Sequence, residues 1–387
     1  MTKAVPFKIE IAESELLAMR ERIKATRWAD DFNNADWDYG VEKGWLQGMA
    51  EYWAGQFDWR AQEASMNVLP HFRTNIDGIP LHFIHVRGKG RNPLPVILTH
   101  GWPWTFWDWN HVIGPLADPA SFGGDPDDSF DVIVPSLPGF GFSCPLITPG
   151  VDIWRIADLW VRLMRDVLGY NQFAAAGGDW GAFITGEIGH RYPEHLIGVH
   201  MTLPVVPGLD FATISRESFA PDEQWMADRL ESAYPSIVSH LAVHSSDPQT
   251  LAYAMVDSPI GTAAWLWERR KTWSDCDGDM GKVFDRDFLC TTASIYWLTK
   301  TIGSSLRLYR ERFRKAFPLA NDRKPVIPVP TGYAIAPKEL LMLPRKVVEQ
   351  KTNLVRWTLF PRGGHFAPME VPDLLIHEYR EFFRSLR

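Results

Sequence analysis

Cysteine is scarce in this sequence. Its 387 residues include three cysteines, Cys144, Cys276 and Cys290. An odd number at wide spacing excludes a disulfide framework, and the lack of a C-x-x-C pair argues against a metal or redox site built on cysteine. Buried free thiols in a reducing compartment are the simplest interpretation.

Long apolar runs and an excess of positive charge are also absent. No stretch of about 18 uncharged apolar residues occurs, and the N-terminus lacks the apolar segment and cleavage site of a secretory signal. We therefore expect no membrane span and a cytoplasmic location. The formal net charge is −7, from 40 Lys+Arg and 47 Asp+Glu. This balance argues against a nucleic-acid partner, whose phosphates call for a basic face.

Aromatic residues, in contrast, are abundant, with 18 Trp and 22 Phe. A chain of this length buries a large core, which is one use for them. An aromatic pocket for an apolar substrate is the functional interpretation of the same composition. Composition is compatible with both.

The first 70 residues are predicted to form a largely helical arm. Leu16, Met19 and Ile23 fall at helical spacing and mark one stripe. Many aromatic residues follow at spacings that fit no single long helix, as expected for an arm that wraps over a larger body. After the arm, two strands are predicted around the turn Asp77-Gly78, which is a strong hairpin signal.

Beyond this hairpin, short apolar runs alternate with helical segments. Runs that are apolar throughout are typical of parallel strands covered by helices on both faces. The alternation stops at about residue 207, gives way to a helical, tryptophan-rich stretch, and resumes after about residue 320. An insertion late in a parallel sheet lies at the carboxyl ends of the strands, where it can act as a lid. The apolar runs are 95–101, 130–139, 173–181, 196–204, 326–337 and 355–366.

The run GGDWG, residues 177–181, follows one of these strands and precedes a helix. Small residues around a strand-to-helix turn allow a strained elbow that holds the central side chain out at its apex. Here that side chain is Asp179. A carboxylate is ionised at neutral pH and can attack a saturated carbon with a leaving group, an epoxide oxygen or a halide, to form an alkyl ester of the enzyme. The alternative is that Asp179 only caps the following helix, a position that aspartate favours.

The loop HGWP, residues 100–103, follows another apolar strand. Its position matches the loop that supplies one backbone N–H of an oxyanion hole. We assign that donor to Trp102 and the second donor to Trp180, at the positive end of the helix after the elbow. For His100 we favour a structural role, bonding the loop, over a catalytic one.

A histidine and an acid follow the last two apolar runs. His365, in RGGHF, is predicted to deprotonate a water that attacks the ester, and Glu339, in APKEL, is predicted to orient its imidazole. For Glu339 the alternative is a first-turn glutamate in a short helix opened by Pro337. Asp322 is the nearest rival acid, but it precedes the strand.

Together these patterns predict the α/β-hydrolase fold, since hydrolases of that fold have the chain order nucleophile, acid, histidine. We expect a mostly parallel eight-stranded sheet with helices on both faces, a helical lid and an N-terminal wrapping arm. The predicted segments are an N-terminal extension (1–90), the first part of the core (91–206), the lid (207–320) and the second part of the core (321–387).

Opening an epoxide would also need a proton donor for the leaving oxygen. Tyrosine is suitable because its hydroxyl is neutral at pH 7. The lid contains Tyr296 and Tyr309, which on one straight helix would point roughly 140° apart. They converge only if the helix breaks, and Gly303-Ser304-Ser305 offers a break. From spacing alone, ordinary packing tyrosines are the better interpretation.

Taken together, these residues resemble the microsomal-type epoxide hydrolases with an N-terminal extension domain. The resemblance covers nearly the whole chain, with the matching stretches in order and at compatible spacing. Besides HGWP, GGDWG and RGGHF, the stretches are TRWAD (26–30), YWAGQFDWRAQEASMNVLPHF (52–72), PSLPGFGFS (135–143), DSPIGTAAW (257–265), IYWLTKTIGSSLRLYRER (295–312) and VPTGYAIAPKEL (329–340).

The resemblance implies a role for each candidate residue. Asp179 matches the nucleophile, His365 the base and Glu339 the acid, while Tyr296 and Tyr309 match a pair of ring-opening tyrosines. The implied reaction joins an epoxide and water to give a vicinal diol through a covalent ester, without cofactor or metal. The implied substrate is a small apolar or aromatic epoxide, either a xenobiotic or a biosynthetic intermediate, and a homodimer is expected.

One feature of the family is not carried over, and two alternatives stay open. Membrane-bound animal members carry an N-terminal anchor that is not found here, so membrane localisation is not expected. A haloalkane dehalogenase shares an aspartate nucleophile followed by tryptophan. A catalytically silent, ligand-binding member of the fold is the second alternative, because fold does not guarantee function.

Overall fold

A nine-stranded sheet forms the centre of the protein. The computed structural model describes residues 3–316 and 318–387, and within them the strand order is β1-β2-β3-β5-β4-β6-β7-β8-β9. The six strands from β5 to β9 in this order run parallel, and the first three are antiparallel. The strands are β1 (Val5–Phe7), β2 (His71–Ile76), β3 (Ile79–Val86), β4 (Leu94–Thr99), β5 (Phe130–Pro135), β6 (Phe173–Gly177), β7 (Leu196–Met201), β8 (Ile327–Ile335) and β9 (Thr352–Leu359).

The predicted mostly parallel sheet is confirmed, but the predicted number of eight strands is wrong for the described part of the chain. The ninth strand is β1, which pairs antiparallel with β2 through Val5 and Phe7. Three residues are too few to show an alternating pattern, so β1 gave no signal in the sequence. The predicted hairpin is present, with β2 and β3 joined at Asp77 and Gly78.

Helices cover the sheet in two groups. One group, α5 and α6, packs together, with α6 against β4, β6, β7 and β8, and the other joins α4, α13 and α14. The helices are α1 (Glu13–Lys24), α2 (Lys43–Gly55), α3 (Trp59–Met66), α4 (Asn110–Ala117), α5 (Ile153–Arg162), α6 (Trp180–Arg191), α7 (Gln224–Ser246), α8 (Pro248–Asp257), α9 (Pro259–Trp273), α10 (Arg286–Leu298), α11 (Ile302–Phe313), α12 (Arg345–Lys351), α13 (Ala367–Glu370) and α14 (Pro372–Arg384).

Helices α7 to α11 form the lid, inserted between β7 and β8 as the sequence predicts. Helix α11 packs on α7 and α8, and α10 packs on α9. Three tryptophans of this stretch, Trp267, Trp273 and Trp297, are buried. Because strands β4, β6, β8 and β9 all end on the same edge of the sheet, the loops that follow them meet there.

The N-terminal arm packs against the lid. The predicted stripe of Leu16, Met19 and Ile23 is buried on α1. The indole Nε1 of Trp53 on α2 donates to Ser294 Oγ on α10 at 3.0 Å. The arm therefore supports the lid from outside and adds β1 to the sheet.

Two further findings concern the described helices and the cysteines. No helix in residues 3–316 or 318–387 combines the length and apolar character needed to cross a bilayer. All three cysteines are free.

Candidate active site

Asp179 sits in a strained turn between β6 and α6. Its backbone has φ 50° and ψ −128°, in a region that few residues other than glycine adopt. Although Asp179 is the N-cap of α6, its side chain makes no capping hydrogen bond. Capping alone therefore does not explain this residue, and its carboxylate is available at the cavity.

Two glycines let the neighbouring loop approach this turn. A Cβ atom at Gly181 would clash with the carbonyl oxygen of Thr99, at the end of β4. A Cβ atom at Gly101 would clash with the carboxylate of Asp179 itself. Glycine at both positions lets the loop after β4 approach Asp179, the predicted nucleophile.

One of the two predicted oxyanion donors contacts the carboxylate. The backbone N–H of Trp102 donates to Asp179 Oδ1 at 2.7 Å. Among the hydrogen bonds of the described residues, none joins the Trp180 N–H to this carboxylate, so that assignment stays a prediction.

His100 bonds its own loop and the loop after β5, as a structural histidine does. Its Nε2 accepts from the Leu137 N–H at 3.1 Å, and its Nδ1 lies 2.9 Å from the carbonyl oxygen of Gly101. Burial lowers the pKa of His100 to about 4, so the ring is neutral at physiological pH.

His365 lies between two carboxylates. Its Nδ1 lies 2.6 Å from Glu339 Oε1, and its Nε2 lies 3.3 Å from Asp179 Oδ2. Burial alone would lower the pKa of His365, but the negative charges of Glu339 and then Asp179 outweigh it and raise the pKa to about 10. The free protein thus holds an imidazolium between the predicted nucleophile and the predicted acid.

The alternatives for the acid find no support in the geometry. Pro337 opens no helix, and Glu339 lies in a loop, where its Oε1 also accepts from the Leu340 N–H at 2.6 Å. Asp322 is exposed, on the segment before β8.

The lid helix does break between the two tyrosines, but the predicted position of the break is wrong. Helix α10 ends at Leu298 and α11 begins at Ile302, with Lys300 at φ 58° between them. Gly303, Ser304 and Ser305 lie inside α11. The break lies at a lysine with left-handed backbone, which carries no glycine or proline signal.

Both tyrosines are buried near Asp179 and differ in what their hydroxyls face. The Tyr296 hydroxyl donates to the carbonyl oxygen of Trp104 at 2.6 Å. Tyr309 lines the cavity, with its ring perpendicular to that of Trp180 at 4.7 Å between centroids. Burial, and then the charge of Asp179, raise the pKa of Tyr309 well above its usual range, so its hydroxyl keeps its proton.

A cavity of about 540 Å³ opens above Asp179. Its wall is mostly aliphatic and aromatic, and the lid helices supply nine of its twenty lining residues. Within the described residues, no group of His, Cys, Asp and Glu side chains is arranged to hold a metal ion. The lining residues are Asp179, Trp180, Phe183, Leu203, Phe211, Ala212, Ile214, Leu230, Tyr234, Ile237, His240, Leu241, Trp273, Tyr309, Arg312, Phe313, Leu340, Leu341, Met342 and His365.

Two lid histidines were missed by the sequence analysis. His240 lines the cavity and stacks on Trp102 at 5.4 Å, and His244 lies one helical turn further, 4.8 Å from the Tyr309 ring. Burial lowers the pKa of His240 to about 3 and that of His244 to about 2, so both rings are neutral. Two histidines at i and i+4 on a helix, inside an aromatic lid, were the signal that could have found them.

A buried ion pair attaches the lid to the loop that holds Trp102. The guanidinium of Arg270 on α9 donates to Asp108 Oδ1 at 2.6 Å and to the carbonyl oxygen of Pro103 at 3.1 Å. Both side chains of the pair are almost fully buried. This contact holds α9 over the cavity.

Arg270→Met is expected to destabilise the protein by about 3–5 kcal/mol, because Asp108 would be left as a buried, unpaired carboxylate. The free energy of unfolding in urea measures this. The matched control is Arg345→Met, an exposed arginine bonded to Glu349 at 2.7 Å, whose loss should cost less than about 0.5 kcal/mol. Equal losses in the two variants would contradict the assignment of a buried anchor.

Two family models match the chain. The model described as epoxide hydrolase N terminus matches residues 4–109, and the model described as alpha/beta hydrolase fold matches residues 95–372. A putative epoxide hydrolase from Stigmatella aurantiaca is 39% identical over 383 residues, which cover 99% of this chain and 85% of that protein. Epoxide hydrolase 1 from Oryctolagus cuniculus is 33% identical, covering 97% of this chain and 88% of its own.

Solved structures of the same kind superpose on the whole chain. The juvenile hormone epoxide hydrolase from Bombyx mori has a TM-score of 0.88 at 27% identity, covering 100% of this chain and 95% of its own. An epoxide hydrolase from Aspergillus niger has a TM-score of 0.86 at 28% identity, covering 99% and 96%.

Proposed function

The chain belongs to the epoxide hydrolase family and has its α/β-hydrolase fold, and from this premise we propose how its own residues open an epoxide. Asp179 forms a covalent ester with one epoxide carbon. Water activated by His365 and Glu339 then hydrolyses the ester to a vicinal diol. The observation that carries this proposal is the Asp179 carboxylate in the cavity, with Trp102 N–H on one oxygen and His365 near the other.

In the first step, Asp179 Oδ2 attacks an epoxide carbon and the C–O bond of the ring breaks. Oδ1, held by Trp102, becomes the carbonyl oxygen of the ester. The leaving oxygen takes a proton from a tyrosine hydroxyl, Tyr309 or Tyr296, because an alkoxide is far more basic than a phenolate. The carboxylate is already ionised, so no base takes part in this step.

In the second step, His365 takes a proton from a water molecule that attacks Cγ of Asp179. The oxyanion that forms on Oδ1 is stabilised by the Trp102 N–H, with Trp180 N–H proposed as the second donor. The tetrahedral intermediate releases the diol, to whose leaving oxygen His365 returns the proton. Asp179 then gives its remaining proton to the tyrosine phenolate, and His365, again beside an ionised Asp179, takes up a proton from solvent, which restores the starting state.

The charge on Asp179 couples these two steps. While Asp179 is ionised, it helps to raise the pKa of His365 to about 10. Formation of the ester removes that negative charge, so the pKa of His365 falls, the imidazolium releases its proton to solvent, and the neutral imidazole is free to act as a base. The histidine is thus activated at the point in the cycle where a base is needed.

Isotope labelling tests the covalent step. In a single turnover with excess enzyme in ¹⁸O-labelled water, the diol should be unlabelled and the Asp179 peptide labelled, because the diol takes its second oxygen from Asp179. With excess substrate, later turnovers should give labelled diol, which serves as the control. Label in the diol of the first turnover would mean direct attack of water and would exclude the ester.

The cavity favours a neutral, apolar or aromatic epoxide. Its wall offers apolar surface around Asp179, and its volume of about 540 Å³ fits a drug-sized molecule. Styrene oxide is a suitable first substrate. Halide release from a haloalkane of similar size, without diol formation from any epoxide tested, would instead favour the dehalogenase alternative. Binding of epoxides without turnover would favour the silent homologue.

We also propose that the protein is a cytoplasmic homodimer. The support is the family resemblance for the dimer, together with three free thiols for a reducing compartment. Sedimentation equilibrium would test the first point, with a monomer at micromolar concentration contradicting it. Cell fractionation would test the second.

A further inference from the structure

The C-terminal end of lid helix α9 and the segment that follows it are hydrogen-bonded to the loop that carries His365. The backbone N–H of His365 donates to the carbonyl oxygen of Trp273 at 2.9 Å. The backbone N–H of Gly363 donates to Asp275 Oδ2, also at 2.9 Å. We call residues 273–275 the lid segment and the loop that carries His365 the base loop. The lid segment therefore accepts hydrogen bonds from two backbone N–H groups of the base loop.

Glu370, which follows the loop of His365 in the sequence, adds hydrogen bonds to both segments. Its Oε1 accepts from the Phe366 N–H and its Oε2 from the Asp275 N–H, both at 2.7 Å. Each acidic side chain thus accepts a backbone N–H from the opposite segment. We name this arrangement the clamp: the side chains of Asp275 and Glu370 with the backbone N–H groups of Gly363, Phe366 and Asp275.

The clamp is closely packed. A Cβ atom at Gly364 would lie 2.8 Å from the carbonyl oxygen of Trp273 and 2.9 Å from the backbone nitrogen of Asp275. No side chain fits at this position without moving the lid segment. Glu370 is partly buried, and this burial raises its pKa to about 7, although its two N–H donors lower it.

The base loop is held on its other side by the loop of the predicted acid. The Lys338 N–H donates to the carbonyl oxygen of Gly363 at 3.0 Å. The lid reaches that loop too, since Arg229 on α7 donates to the carbonyl oxygens of Lys338 and Glu339 at 2.6 and 2.8 Å. The position of His365 relative to Asp179 therefore depends on the lid as well as on the sheet.

We propose that Asp275 and Glu370 are positioning residues that couple the lid to the base His365 and thereby set the rate of ester hydrolysis. This inference rests on the proposed function, in which His365 acts only in the second step. Neither side chain contacts the cavity, and both act through the backbone of the base loop. Loss of the clamp should leave alkylation intact, because Asp179 needs no base and the ion pair of Arg270 and Asp108 still anchors the lid.

The test separates the two half-reactions. With styrene oxide at alkaline pH, where Glu370 is ionised, intact-mass spectrometry after rapid quenching follows the rise and the decay of the Asp179 ester. Glu370→Gln and Asp275→Asn should slow ester decay by about tenfold to a hundredfold, the loss expected when a catalytic group is misplaced by about an ångström. Ester formation should stay within about twofold of the unaltered enzyme, because a carboxylate nucleophile needs no activation.

Control variants distinguish a positioning role of the clamp from a general disturbance of the structure by substitution. Glu349→Gln, an exposed glutamate on α12, should change neither rate. Asp275 is only partly buried, so Asp275→Asn tests the clamp without placing an amide in the core. Glu370→Leu, which keeps no acceptor oxygen, should slow ester decay more than Glu370→Gln does.

Each outcome has a clear meaning. Accumulated ester during steady-state turnover in both clamp variants, with unchanged formation, supports the proposal. Equal losses in both rates, or no loss in either, overturn it. If no ester forms on Asp179 even in His365→Gln, the proposed function itself has failed and this inference falls with it.

Discussion

His365→Gln should stop the reaction at the covalent ester. Glutamine cannot take a proton from water, so steady-state turnover should fall by about 10³-fold or more, within the range for loss of a general base. Alkylation should continue, because Asp179 is ionised without help. The enzyme should therefore gain the mass of one epoxide, and peptide mass spectrometry should place that mass on Asp179.

The controls for this experiment follow from the contacts of His365. Asp179→Asn combined with His365→Gln should give no adduct. Glu339→Gln should also accumulate ester, but less of it, since His365 keeps its place beside Asp179 when the carboxylate at 2.6 Å from its Nδ1 is neutralised. An adduct on any other residue, or full turnover in His365→Gln, would contradict the mechanism.

Tyr309→Phe should slow ester formation more than Tyr296→Phe. Tyr309 lines the cavity, whereas the hydroxyl proton of Tyr296 is engaged with the carbonyl oxygen of Trp104. We expect a loss of about a hundredfold for Tyr309→Phe, the low end of the range for a general acid, and about tenfold for Tyr296→Phe, below that range. Measuring ester formation in the His365→Gln background isolates this step.

Tyr333→Phe is the matched control for the tyrosine variants. Tyr333 is equally buried on β8 and donates to the carbonyl oxygen of Val205 at 2.8 Å, outside the cavity lining. Its loss should cost about 1 kcal/mol of stability, the net value of one hydrogen bond, and leave ester formation unchanged. A larger effect at Tyr296 than at Tyr309, or none at either, would refute the assignment of the cavity tyrosine as the main donor.

Much of the fold was predictable because its parallel strands are buried on both faces. Such strands are apolar throughout, and β4 to β7 therefore stood out as short runs between turns, whereas β9 lies at the edge of the sheet and is only partly buried. The order of Asp179, Glu339 and His365 after three of the parallel strands placed all three on one edge of the sheet. The structure brings their side chains together there. The order of the three residues along the chain and the topology of the sheet are sufficient to explain this.

The features that the sequence did not predict depend on contacts between distant residues. Strand β1 exists because Val5 to Phe7 find a partner in β2, far along the chain. The helix break at Lys300 has no glycine or proline. His240 is recognisable as part of the cavity only once α7 is folded over Trp102, and Asp275 and Glu370 are 95 residues apart in the chain.

The N-terminal arm contacts both the sheet and the lid, and these contacts affect how the protein unfolds. Its strand β1 belongs to the sheet, while Trp53 on α2 is bonded to Ser294, two residues before Tyr296 on α10. The arm, the lid and the sheet thus each contact the other two. None of the three can detach without breaking its contacts with both of the others. We therefore expect them to unfold as one cooperative unit, with similar protection of backbone amides against hydrogen exchange in the arm and in the helix that carries Tyr296.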